Sequence, residues 1–130
     1  MPDFDLITPL KLATLVRLQG HVGAPVFDHI PDGQMPPAVV MDTFTLDDEG
    51  DKQGDLWRVS LTVQVIAQGR SRDQHRAIMG AVRGQLTRWR PVAAGCDFGA
   101  FMFVSSGEQT LGDGLTHLGD VQLQIFAQPA

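Results

Sequence analysis

The chain has 130 residues with 15 Asp and Glu against 10 Lys and Arg, a formal net charge of −5 that argues against non-specific DNA binding. That is the length of one domain, residues 1–130, able to bury about two-thirds of the surface its unfolded form exposes and so to build a core without staples. Cys96 is alone, MPDFDLITPL has no basic segment before a long apolar run, and no stretch approaches a membrane span, so a disulfide framework, a secretory signal and a transmembrane helix are not expected.

In chain order, Leu6, Ile7, Leu10, Leu12, Leu15, Val16 and Leu18 predict a helix over about 8–19, starting up to a turn earlier. Thr8-Pro9 reads as an N-cap followed by proline at the first helical position, and Gly20 as the stop. Residues 20–37, with three Gly and four Pro, read as a loop with Val26-Phe27 as a short anchor or strand. After Pro36-Pro37, Ala38–Leu46 reads as a strand with Val40, Phe44 and Leu46 on one face and Val39 and Met41 on the other. The acidic stretch 47–55 is expected to form an extended, mobile hairpin tip. Trp57, Val59, Leu61, Val63, Val65 and Ala67 alternate with mostly polar residues, which marks a strand over 56–67 with one buried face.

Gly69 breaks that strand, Ser71 offers a capping oxygen, and the period becomes helical. His75, Ile78, Met79, Val82, Leu86 and Trp89 form one stripe of an amphipathic helix closed by Arg90-Pro91, with Arg72, Arg76, Arg83 and Arg88 largely off it. Phe98–Ser105 is apolar on both faces and reads as a third strand, 107–114 as a loop with an Asp113-Gly114 turn, and Leu118–Ala127 as a fourth strand. The expected fold class is α+β: a two-layer sandwich of an antiparallel or mixed sheet of about four strands, with two helices on one face. Arg58, Ser60, Thr62, Gln64, Gln122 and Gln124 would share the other face.

Charge is unevenly placed. Residues 70–90 hold six Arg against Asp73, whereas Asp47, Asp48, Glu49, Asp51 and Asp55 crowd one hairpin with only Lys52 among them. Either these are two solvated faces, or copies of the chain meet head to tail, basic patch to acidic patch.

Chemistry is sparse. Asp28-His29-x-x-Asp32 has no second histidine nearby and makes a poor metal site. Gly112-Asp113-Gly114 has no helix after it, so it is not a dinucleotide loop. Cys96 and Ser105-Ser106-Gly107 lack the surroundings of a nucleophile. Pro2 would become a secondary amine if Met1 were removed, as in tautomerases, but here it leads into a helix rather than a buried strand. No catalysis, cofactor or metal is expected; a small ligand-binding or tautomerase-like α+β domain is the rival reading.

The order of elements carries a resemblance. A leucine-rich helix, Val26-Phe27-Asp28 with Pro31 and the strand from Pro37, the strand Trp57–Val65, the helix Ala77–Arg83, and Asp113-Gly114 ahead of Val121–Phe126 together resemble the tail-terminator or tail-completion proteins of long-tailed phages and phage-like gene transfer agents, over about residues 6–128. The stretch 115–120 departs from the more basic one expected there. The resemblance implies a non-enzymatic virion protein of the head-proximal tail end, assembled in the host cytoplasm. It implies a homo-hexameric ring that caps the tail tube, stops its polymerisation and meets the head-side connector or stopper protein. DNA would pass through the lumen without specific binding, and no membrane is involved. Another neck or head-completion connector protein is the alternative. On this reading Asp47, Asp48, Glu49, Asp51, Asp55, Arg72, Arg76, Arg83 and Arg88 are the candidate subunit or tube interface, and the free protein is expected to be monomeric except at high concentration.

Overall fold

The computed structural model describes residues 5–50 and 56–130. Its elements are α1 (Ile7–Leu18), β1 (Val26–Phe27), β2 (Ala38–Asp48), β3 (Trp57–Gln68), α2 (Asp73–Leu86), β4 (Cys96–Phe98), β5 (Met102–Thr110) and β6 (Thr116–Pro129). The class is α+β as expected, but the sheet has six strands rather than about four, in the order β1-β2-β3-β6-β4 with β5 also on β6. Only β1 and β2 are parallel; the other pairs are antiparallel.

The centre is the β3–β6 ladder, continuous from Trp57–Ala127 to Gln68–Thr116. Val59, Leu61, Val63, Val65 and Ala67 face the core beside Val121, Leu123, Ile125 and Ala127, all buried. Ile78, Met79, Val82 and Leu86 of α2 close over them, and Leu10 and Leu18 of α1 join the same cluster. Arg58, Ser60, Thr62 and Gln64 pair across the ladder with Phe126, Gln124, Gln122 and Asp120, so the polar face lies where the alternation puts it.

Local chemistry sets the ends of the helices. Asp5 Oδ1 accepts the backbone N–H groups of Ile7 and Thr8, both at 3.0 Å, so α1 is capped from Asp5 and not from Thr8. These bonds, first of all those from Thr8, lower the Asp5 pKa. Ser71 Oγ accepts the Asp73 N–H at 3.1 Å ahead of α2.

Three sequence expectations change. A bulge at Asp42 shifts the β2 register between Met41 and Thr43, so Phe44 and Leu46, opposite Leu61 and Val59, join Val39 and Met41 on the core face. The strand expected at Phe98–Ser105 is two: β4 ends at Phe98, and β5 runs on through Gly107–Thr110, expected to be loop. Finally, α2 ends at Leu86. Thr87 is extended, and Arg88 takes φ 67°. Trp89 leaves the helical stripe to stack on Phe101 at 6.0 Å, held by reciprocal backbone bonds, Arg88 N–H to Phe101 O and Phe101 N–H to Trp89 O.

Candidate assembly surfaces

The basic surface is built where α2 lies beside β5. Arg72 and Arg76, four residues apart, lie on one side of the helix. Arg76 donates through Nε and Nη2 to Glu108 Oε1 at 3.0 and 2.9 Å, and Arg72 Nη1 lies 3.9 Å from the same oxygen. Hydrogen bonding from Arg76 holds the Glu108 carboxyl below its ordinary pKa and raises that of Arg76. About two helical turns further on, Arg83 Nη1 donates to Ser106 Oγ at 3.2 Å. Arg88 does not belong to this row, because it sits in the turn after α2. Glu108 is the residue that sequence reasoning missed: its strand is too polar to announce itself, so no spacing ties it to the arginines.

The acidic surface lies at the far end of β2. Asp47 pairs across the ladder with Arg58, whose Nη2 lies 3.7 Å from Asp47 Oδ2 and whose Nη1 lies 3.0 Å from Glu49 Oε1. Arg58 thus offsets part of the acidity, a role hidden in sequence because it appears only as one polar residue of an alternating strand. Asp48 caps the Gly50 N–H at 2.9 Å. Asp51 and Asp55, with the tip expected to be mobile, lie outside the described residues.

Among the described residues the two surfaces do not meet within one chain. β3 and β6 stand between β2 and β5, a separation of roughly 14 Å at the usual strand spacing. Each therefore faces outward from its own edge of the sheet.

Other polar groups are absorbed by the fold. His75 is buried, with Nε2 3.2 Å from Val65 O, and His117 bridges Gly69 O at 2.8 Å and Thr110 Oγ1 at 2.9 Å. Asp113 accepts from Thr116 Oγ1, Thr116 N and Leu115 N, which fixes the β5–β6 turn and lowers its pKa to about 2. Asp28 is paired with Lys11 at 3.0 Å, and burial raises the Cys96 thiol. A groove of about 670 Å³ between α1 and residues 89–94 is lined by Leu12, Val16, Trp89 and Val92 and carries no cluster of polar groups.

Residues 11–128 match the family model described as "Tail completion protein gp17". The chain belongs to that family. Membership makes it a phage tail structural protein and puts it in the virion. The fold is also that of a chain in a solved structure titled "Virion of native gene transfer agent (GTA) particle", with a TM-score of 0.84 at 17% identity, covering 97% of this chain and 99% of that one. No curated protein sequence matches the chain.

Proposed function

We propose that this chain is a tail terminator: a non-enzymatic ring of six copies that caps the tail tube, ends its polymerisation and presents a surface to the head-side connector. The observation that carries the reading, beyond the family, is the separation of charge between opposite sheet edges. Arg72, Arg76 and Arg83 flank β5, while Asp47, Asp48 and Glu49 end β2. Unlike surfaces at opposite edges suit head-to-tail contacts, which close into a ring when the rotation between copies allows it. The polar side chains of the open sheet face suit a wet contact or a channel wall. An acidic chain neither holds nor retards passing DNA.

The test is to add the purified protein to tail tubes during their polymerisation. Tubes should stop lengthening and show a ring at one end by electron microscopy. Tubes that grow unchecked with bare ends would refute the terminator role, and binding to isolated connectors alone would move the protein to the neck.

A further inference from the structure

The two sheet edges carry more than charge. Beyond its bulge, β5 leaves Ser105–Thr110 paired only with β6, and beyond the bulge at Asp42, β2 leaves Thr43–Asp48 paired only with β3 among the described residues. These are two stretches of equal length, each with one row of backbone N–H and C=O groups turned outward. Met102, Phe103 and Val104 at the start of β5 are 41, 43 and 48% exposed, and Leu46 on β2 is 37% exposed. Unpaired edges of this kind, with exposed apolar residues beside one and within the other, are templates for another strand.

We propose that β5 of one copy adds to the β2 edge of the next, so that a single antiparallel sheet runs through the assembly. The proposal rests on the ring reading above. Direction supports it: β2, β3, β6 and β5 alternate, so β5 runs opposite to β2. A rotation about an axis near the strand direction keeps that relation between neighbours, and the seam is antiparallel.

The internal register also sets how the seam must slip. Ser105 pairs with Gln122, Gln122 with Thr62, and Thr62 with Thr43, so Ser105 and Thr43 sit on one rung. From that rung the free stretch of β5 runs one way to Thr110, and that of β2 runs the other way to Asp48. Level pairing is blocked, because β1 already occupies the β2 edge at Val39 and Val40. The slip must be even to keep the core face on one side; one of four residues, roughly 14 Å, lays Ser105–Gln109 along Asp47–Thr43 and brings Ser105 opposite Asp47, both on the open face. Arg83, bonded to Ser106, then reaches the acidic end of the neighbour's β2. Closed sheets need such a stagger, since their strands tilt by about 35–45°. With β2, β3, β6 and β5 as the strands between seams, four residues of slip per copy gives the one-to-one ratio of stagger to strands of the eight-stranded barrel.

The test is directed disulfide formation in the full chain with Cys96→Ser. Residues opposite each other on antiparallel strands bring their Cβ atoms to about 4.5–5.5 Å, near disulfide reach. Asp47→Cys with Ser105→Cys in one chain should give a ladder of covalent oligomers on oxidation, while an equal mixture of the two single variants should give dimers and nothing larger. Bonds from Thr43→Cys with Ser105→Cys instead would overturn the staggered register. Rings seen by microscopy without any ladder would overturn the edge pairing and leave the ring reading standing. A ladder from protein that ignores tail tubes would uphold the pairing and remove the terminator role. A variant that forms neither rings nor ladder while remaining folded by circular dichroism counts against the pairing.

Discussion

Gly119 shows what one missing side chain does for this fold. It lies on the core face of β6, in line with His117, Val121 and Leu123. A Cβ there would stand 2.7 Å from both His75 Cε1 and Met79 Sδ, inside any normal contact. Its absence lets α2 settle onto the sheet and lets His75 stay buried with its bond to Val65 O. Met79 is flexible at its tip but is itself buried, so it cannot swing away without opening the core. Gly119→Ala should therefore cost about 1–3 kcal/mol, the usual range for an overfilled site, read as a lower midpoint in urea with an unchanged slope. An unchanged midpoint would mean that α2 shifts without cost. This contact was not legible in the sequence, where Leu118-Gly119-Asp120 breaks the alternation that the next residues keep.

At the scale of elements, periodicity carried what faced a single environment. β3 and β6 alternate because one face is covered and the other wet, and α1 with the first four turns of α2 has a stripe that points one way. Where a segment is shaped by its neighbours, pattern fails. Ser105–Thr110 is polar throughout because it lies on an edge, and only its ladder to β6 makes it a strand. Trp89 continues the spacing of the α2 stripe, yet its stacking on Phe101 and the Arg88–Phe101 bonds outweigh another helical turn. The candidate surfaces were half legible: the charge clusters stand out in sequence, whereas Glu108 and Arg58, which temper them, emerge only from pairing. The turn after α2 gives a second prediction. Arg88 holds a left-handed conformation at the position after the cap where glycine is usual. Arg88→Gly should leave stability unchanged or raise it by up to about 1 kcal/mol in thermal unfolding. If Arg88 also belongs to an interface, the same variant will weaken self-association while the monomer gains stability, which separates the two roles.

For the whole molecule the balance between charge and apolar surface decides how tightly copies associate. Twelve large apolar residues are exposed among the described ones, among them Met102, Phe103 and Val104 on one edge. That is more than the sequence suggests, and it weakens the basis for expecting a monomer at all but high concentration. The charges are best placed to choose the partner edge, since exposed pairs contribute little affinity but suppress wrong registers. Arg76 is a poor probe, because reversing it strands Glu108 within its own chain. Arg83 is a clean one, as its bond within the chain is to the neutral Ser106 hydroxyl. Arg83→Asp should weaken the association constant about fivefold per interface, corresponding to ~1 kcal/mol, measured by sedimentation at low salt. Adding Asp48→Arg in the same chain should restore most of it, and the difference between variants should shrink near 1 M salt, where screening acts within about 3 Å. Residual association at that ionic strength measures the apolar part of the seam. Restoration that fails at low salt, with both variants folded, would place the acidic end of β2 away from Arg83.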